Sequence, residues 1–515
     1  MLSKIRENLK NLKLDAILIN STNEFLVEYN SLEENARYIL TGFSGSAGDA
    51  VVTSEKLYLF VDGRYHIQAD NEVNPEIVTV VKLQNRETFN NKLTELLPEK
   101  SVLGIVGSKN SQTRYENLQK LYTVKILDSD FIPVKSPKNS EQNESVDSGM
   151  TTDEKLEKVR KLVEKEDAIL VSNLEEVSYL FNLRNFSDNY SSKILARAII
   201  TKEKAELFYP DNFAEYKNTL EQIKGFIYLD KSSTNVRDYN IIGKKAKPWN
   251  QNPIQQMKAV KTKKEIESYK DAFEKTDKAV RAIREFIYSH DNISEYDIDK
   301  QLEYEFKKYG ARNLSFKSIV AKDQNSALAH YSKSSKDKIL RDGSLVLIDC
   351  GAYYDGGLAT DITRVFVKGT PTSMQKRVYT TVLKAFLNAY NTNIVPEICG
   401  FDIDQKARTL LEENPIEGFV FNHGLGHGIG VSVHEYPPNL SCNELAKVKL
   451  EENMCFTIEP GLYNKKYFGV RLENSCYLKN NKIHSFVKMN YEKKLIDYNL
   501  LTEQEKEWLK EFEVL

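Results

Sequence analysis

The run Leu345-Val-Leu-Ile-Asp349-Cys-Gly351 stays apolar until it meets a carboxylate, and a second strand signal surrounds Asp361 in Thr360-Asp-Ile-Thr-Arg-Val-Phe366. Both acids interrupt segments that read as buried strands. A carboxylate taken into an apolar interior is costly unless a cation or hydrogen-bond donors compensate, so two side by side call for a shared positive partner. Taken singly, either aspartate reads equally well as a strand-end residue capping the following turn. Two further acids are embedded in strand-like surroundings, in Phe456-Thr-Ile-Glu459-Pro-Gly and Val470-Arg-Leu-Glu473-Asn.

Between these pairs lies the glycine-rich segment His423-Gly-Leu-Gly-His427-Gly-Ile-Gly-Val-Ser-Val-His434-Glu435. The chain has only 7 histidines, and three of them fall in this segment. Glycines let the backbone approach closely and leave imidazoles facing a common centre, where a neutral nitrogen can bind a divalent ion or donate to a carbonyl. Four carboxylates with one histidine, His427, make an oxygen-rich donor set. Such a set suits manganese and only weakly excludes cobalt, iron or zinc. Four negative charges overcompensate one divalent ion, so two ions sharing bridging carboxylates and a bridging hydroxide are the better match.

Outward from this region, Thr262-Lys-Lys-Glu265 has the form of a capping box opening a long helix. Its apolar positions Ile266, Tyr269, Phe273, Val280, Ile283 and Ile287 fit one helical face, and a second helix near 294 to 309 stops at Gly310. Leu500-Leu-Thr502-Glu-Gln-Glu505 is another capping pattern, before a final helix carrying Trp508. Toward the N-terminus the chain repeats itself. Asp15-Ala-Ile-Leu-Ile-Asn-Ser recurs as Asp167-Ala-Ile-Leu-Val-Ser-Asn, and Ala50-Val-Val-Thr-Ser-Glu-Lys-Leu-Tyr-Leu-Phe60 recurs as Ala198-Ile-Ile-Thr-Lys-Glu-Lys-Ala-Glu-Leu-Phe208. Each copy reads as a strand followed by a hairpin, so a duplicated domain is expected. Residues 133 to 155 read as a linker, and Lys245-Ala-Lys-Pro-Trp-Asn-Gln-Asn-Pro253 breaks the pattern again. Three domains follow: 1–135, 156–255 and 256–515.

Bulk composition fits a soluble multidomain protein, with 41% apolar and 28% charged residues in 515. Because 72 basic and 74 acidic side chains nearly cancel, no bulk field recruits nucleic acid or an anionic membrane. The charged N-terminus Met1-Leu-Ser-Lys-Ile-Arg-Glu lacks the apolar run of a signal peptide or membrane span, so a cytoplasmic location is expected. The cysteines, Cys350, Cys399, Cys442, Cys455 and Cys476, are odd in number and form no C-x-x-C pair, so they are read as reduced.

The ordered motifs Asn325-Ser-Ala-Leu-Ala-His330-Tyr, Ile348-Asp-Cys-Gly, Thr360-Asp-Ile-Thr-Arg, His423-Gly-Leu-Gly-His-Gly, Ile458-Glu-Pro-Gly and Arg471-Leu-Glu-Asn together resemble the aminopeptidase P branch of the pita-bread metallopeptidases. Thr41-Gly-Phe-Ser-Gly-Ser-Ala-Gly and Val61-Asp-Gly-Arg-Tyr65 extend the likeness to its three-domain members. The resemblance implies an α+β catalytic domain with a curved antiparallel sheet, preceded by two similar small α/β domains. It implies metal ligation by Asp349, Asp361, His427, Glu459 and Glu473, and substrate roles for His330, His423 and His434 with Arg471 nearby. Arg64 matches a substrate-binding position of the family. One departure stands out: Asp361 follows Asp349 one position later than the family's spacing.

The implied activity is removal of an N-terminal residue that precedes proline, by a hydroxide bridging two divalent ions, with Glu459 moving the proton. A homodimer and peptide substrates with proline second are implied in the same way. An Xaa-Pro dipeptidase would share these ligands, and a metal-free binding protein on the same fold is the reading of another class.

Overall fold

The computed structural model describes residues 1–84, 87–138 and 142–512. The chain forms two compact units. One comprises Met1–Asn143, Thr151–Leu183 and Lys193–Ile254, and the other comprises Glu144–Met150, Arg184–Ser192 and Gln255–Leu515. Short segments of the middle of the sequence are thus built into the C-terminal unit.

Duplication is visible strand by strand in the N-terminal unit. Strands β1 (Ala16–Ile19), β2 (Asp49–Thr53), β3 (Leu57–Val61), β4 (Thr79–Lys82), β5 (Val102–Val106) and β6 (Thr123–Leu127) form a sheet of order β4-β3-β2-β1-β5-β6. Strands β7 (Ala168–Val171), β8 (Arg197–Thr201), β9 (Ala205–Phe208), β10 (Ile227–Leu229) and β11 (Ala246–Pro248) repeat it as β9-β8-β7-β10-β11, without a counterpart of β4. In both, the first strand pairs antiparallel with the near arm of the hairpin and parallel with a later strand, β5 in the first copy and β10 in the second. The repeated aspartate has a repeated task. Asp15 accepts from the Val102 amide and Asp167 from the Phe226 amide, each at 2.7 Å. Glu24 lies between Arg197 and Arg237, 3.1 and 2.7 Å away, and so ties the first copy to the second.

The stretch 133 to 155 is not all irregular. Thr151 caps a helix Thr152–Arg160 through a capping box with Glu154, a signal of the same kind as the one at Thr262. In the C-terminal unit, helix α1 (Lys263–Ser289) opens on the Thr262–Glu265 capping box and buries Ile266, Tyr269, Phe273, Val280, Ile283 and Ile287. Helix α2 (Glu295–Lys308) ends just before Gly310, as its sequence suggests. The last helix, Glu503–Leu509, opens on the capping box of Thr502 and Glu505 and carries Trp508.

The central sheet contains β12 (Ile319–Lys322), β13 (Leu345–Cys350), β14 (Ile362–Val367), β15 (Gly426–Gly428), β16 (Glu435–Leu440), β17 (Cys455–Ile458), β20 (Glu473–Lys479) and β21 (Lys482–Ser485). Its order is β12-β13-β14-β20-β17-β15-β16, with β21 added on β20, and every pairing is antiparallel. A separate ribbon pairs β18 (Gly461–Tyr463) with β19 (Gly469–Arg471). Helices Ser373–Tyr390 and Gly400–Glu413 share one apolar core with the sheet, including Val378, Val382, Phe386, Ile403, Leu347, Val365 and Phe456. The mixture of helices with a large antiparallel sheet is the α+β architecture expected. Among the described residues no helix is long and apolar enough to cross a membrane.

Register decides where the acids point. Asp349 pairs with Thr363, and Thr363 pairs with Glu473, so these three form one row across β13, β14 and β20. Ile458 pairs with Asn474, which puts Glu459, one step on, beside Glu473. Residues directly opposite in a ladder share a face, and so do residues two apart on a strand, which puts Asp361, just before β14, on the same face as the row. The extra residue between Asp349 and Asp361 does not disturb this. The hairpin continues through Thr360 N to Ala352 O at 2.9 Å and a bridge between Tyr353 and Ala359, so the additional length falls in the tip.

Gly351 lies where the two hairpin arms are closest, and a Cβ there would stand 1.8 Å from the Thr360 carbonyl oxygen. Gly351→Ala is expected to force the arms apart and lower stability by about 1–3 kcal/mol, a cost typical of overpacking. Thermal unfolding of the variant checks this, and an unchanged melting temperature would contradict the close approach.

Candidate active site

The register gathers Asp349, Asp361, Glu459 and Glu473 on one face, and β15 brings His427 to the same place. Gly426 allows it, because a Cβ at that position would lie 2.0 Å from the Thr457 carbonyl oxygen of the neighbouring strand. The His427 amide donates to Thr457 Oγ1 at 3.2 Å. Its Nδ1 is 3.0 Å from the Gly428 carbonyl oxygen, so Nδ1 carries the proton that bond requires. In the neutral ring Nε2 is then a lone pair, 3.6 Å from Asp361 Oδ2 and 3.5 Å from Glu459 Oε1. A lone pair facing two carboxylates is an arrangement that a cation stabilises and that is repulsive without one.

The carboxylates show the same need. Asp349 Oδ1, Asp361 Oδ1 and Glu473 Oε1 are buried and have no hydrogen-bond partner among the described residues. Orphaned buried acceptors are costly, and three in one place demand a common explanation. Asp361, His427 and Glu473 offer ligand atoms within 4.8 Å of one another. Burial, then the negative charges of Glu473, Asp349 and Glu459, hold the Asp361 carboxyl well above the usual range, with Arg471 opposing. Burial and the charge of Asp349 push Glu473 up to about 8, although the Thr363 hydroxyl and Arg471 pull the other way. These residues fit divalent ions: their donor set is oxygen-rich, their free oxygens converge, and their charge is in excess.

Two residues that the sequence left without a role complete the framework. Thr363 Oγ1 donates to Glu473 Oε2 at 2.8 Å and accepts from Arg471 Nε at 3.2 Å. Tyr463 accepts from Arg471 Nη1 at 2.9 Å, and its hydroxyl stands 2.8 Å from His423 Nε2. Burial raises the Tyr463 hydroxyl to about 12, so it keeps its proton to donate to His423, whose Nδ1 faces the Gly424 carbonyl at 2.7 Å. Arg471 also reaches Asp349 Oδ2 at 2.5 Å and lies 4.0 Å from Glu459 Oε2. Thr363 lies in the quoted Thr-Asp-Ile-Thr-Arg run, so its motif was visible. Tyr463 had no signal beyond an aromatic two residues after Gly461.

The other histidines are placed less directly. The His434 ring meets the His427 ring edge-on, centroids 4.4 Å apart. The loop holding His434 is fixed by Glu435, which accepts from the Val431 amide at 2.7 Å and pairs with the buried Lys258 at 2.7 Å. His330 is half-buried just beyond a turn whose Ser326 hydroxyl donates to the Gly469 carbonyl at 2.9 Å, next to the ribbon that carries Arg471. Arg64 belongs to the N-terminal unit, where its guanidinium makes a two-point contact with Asp62 at 2.9 and 2.8 Å. Behind the row, fully buried Arg364 donates to the Thr363 and Glu473 carbonyls at 2.9 and 2.8 Å, clamping β14 to β20.

Residues 267–480 match metallopeptidase family M24, and residues 1–136 and 143–265 each match a creatinase/prolidase N-terminal domain. Together these matches run, in order, over most of the chain. It is 28% identical to a probable Xaa-Pro aminopeptidase P of Laccaria bicolor, over 99% of this chain and 88% of that one. It is 27% identical to Xaa-Pro aminopeptidase 1 of Dictyostelium discoideum, over 99% and 91%. The fold matches the X-prolyl aminopeptidase of Caenorhabditis elegans with a TM-score of 0.89 at 23% identity, over 99% of this chain and 94% of that one. That enzyme is described as cytosolic with a di-nuclear active site.

The raised carboxyls set a pH dependence. Glu473 binds its proton more tightly folded than unfolded, with a folded value of about 8 against an ordinary 4.5. Its stabilising contribution is therefore complete below the unfolded value and is lost as pH rises through the folded one. Metal-stripped protein is expected to melt at a lower temperature at about pH 8.5 than at about pH 6, and a divalent ion should restore more at the higher pH while releasing more protons at the lower one. Melting shifts on metal addition that are equal at the two pH values would contradict this.

Proposed function

We propose that this chain removes the N-terminal residue from peptides whose second residue is proline, using two divalent ions held by Asp349, Asp361, His427, Glu459 and Glu473. The observation that carries the reading is the convergence of these donors, with buried unpartnered oxygens on Asp349, Asp361 and Glu473. The full-length likeness to proteins named Xaa-Pro aminopeptidase supports the substrate class. Manganese suits the oxygen-rich set, with cobalt or zinc as alternatives. When bound, the ions supply a water acidified toward neutrality and polarise the scissile carbonyl.

The chain's own groups do the rest. Glu459 takes the proton of the attacking water and delivers it to the leaving nitrogen, which needs one for departure. His423 and His434 flank the cluster, and with His330 they orient the peptide and donate to its carbonyl oxygen. Arg471 fixes Asp349 and, through Tyr463, the tautomer of His423. Arg64 serves substrate binding. Proline suits such a site because its tertiary amide has no N–H, so a pocket shaped for the ring selects by sterics. A cytoplasmic, homodimeric protein with domains 1–135, 156–255 and 256–515 completes the reading.

Glu459→Gln keeps the shape and removes the base, so release of arginine from an Arg-Pro-Pro peptide in manganese is expected to fall by about 10²–10⁴-fold. Wild-type turnover would sink the role. The dipeptidase alternative is separated by substrate length: the tripeptide should be cleaved well and an Xaa-Pro dipeptide poorly. Arg64→Ala is expected to lower kcat/KM with metal content unchanged, and an unaltered kcat/KM would reduce the Arg64–Asp62 pair to a surface salt bridge.

A further inference from the structure

Glu295, the first residue of α2, is a fully buried carboxylate that no motif announced. Its donors come from one stretch of chain. Oε1 accepts from the Lys322 amide at 2.6 Å and from Asn325 Nδ2 at 2.8 Å. Oε2 accepts from the Tyr331 hydroxyl at 2.7 Å and from the Ser335 amide at 3.0 Å. Asn325 and Tyr331 also touch each other, 3.1 Å from Nδ2 to OH. These contacts bracket His330 on both sides, at Asn325 and at Tyr331. A buried charge with both oxygens doubly satisfied is strongly held, and the positive end of α2 adds to that. Because Glu295 is anchored in the helix, the loop is referenced to α2 rather than to its own flexible backbone.

We infer that Glu295 is a positioning residue that sets the place of His330 in the active site. This rests on the substrate role proposed for His330. Glutamine at 295 is nearly isosteric, yet it presents N–H groups to at least one donor, so the loop must shift while the helix stays. A displacement of about 1 Å in a substrate-orienting group can cost about 10²-fold in kcat/KM.

The test uses full-length, manganese-loaded protein with E295Q, H330A and the double variant, assayed on the proline tripeptide. E295Q should lower kcat/KM with metal content unchanged, and it should add nothing to H330A. Additive losses would overturn the inference, because Glu295 would then act through something other than His330. Because the chain has only 7 histidines, ring signals of carbon-13-labelled protein, loaded for this measurement with diamagnetic zinc, give a second readout. The signal lost in H330A should move in E295Q, and a fixed signal would also overturn the inference. Tyr331→Phe removes a single donor and should move the same signal less, which keeps the test open if E295Q folds poorly. If H330A keeps full activity, the substrate role of His330 fails, while a shifted His330 signal in E295Q still supports the anchoring.

Discussion

Four carboxylates share one face of one sheet, and their mutual repulsion is the fact around which the C-terminal unit is organised. A single guanidinium, Arg471, offsets part of it through Asp349 and Glu459. Burial removes the water that would otherwise screen the remainder, which is why Asp361 and Glu473 hold their protons so firmly in the absence of a cation. Protons and divalent ions are therefore competitors for the same oxygens, and the site's affinity for either is set by the same geometry. The cost of assembling these charges must be met by the rest of the domain.

The rest of the domain meets it with backbone order. Ladder register, not loop conformation, puts Asp349, Asp361, Glu473 and Glu459 on one face, so their spacing is as firm as the sheet. Arg364 reinforces the join between β14 and β20 from the opposite face, and Thr363 and Tyr463 tie the acids, Arg471 and His423 into one hydrogen-bonded array. An array in which each donor has a single assigned acceptor leaves few alternative rotamers, which is a form of preorganisation.

Much of this was legible in the sequence, and for identifiable reasons. Acids inside apolar runs are rare enough to be informative, and glycines interleaved with histidines mark a close backbone approach, so Asp349, Asp361, Glu459, Glu473 and His427 stood out. The repeat at Asp15 and Asp167 was readable because the same strand and hairpin were copied along with the carboxylate that accepts from a neighbouring strand. Capping boxes at Thr262 and Thr502 mark helix starts, whereas the equivalent box at Thr151 sits inside a polar, proline-containing stretch that reads as a linker. Glu295 and Tyr463 carry no local signal, and Arg364, though inside the quoted Thr-Asp-Ile-Thr-Arg run, shows none of its partners there, because partners far apart in sequence leave no local pattern. The extra residue before Asp361 is a departure that a longer turn through Asp355-Gly-Gly-Leu358 can absorb, and the unbroken hairpin register does send it to the tip.

The strap Arg184–Ser192 is part of the C-terminal unit, where Ser192 Oγ donates to the carbonyls of Gly357 and Val431 at 2.8 and 3.1 Å. A ribosome delivers this strap long before either acceptor exists. The nascent N-terminal unit can close around its own sheets while the strap waits in solvent, its hydroxyl bonded only to water. Completion of the C-terminal unit thus depends on a piece of chain made in advance, so translation order is built into how the two units mature.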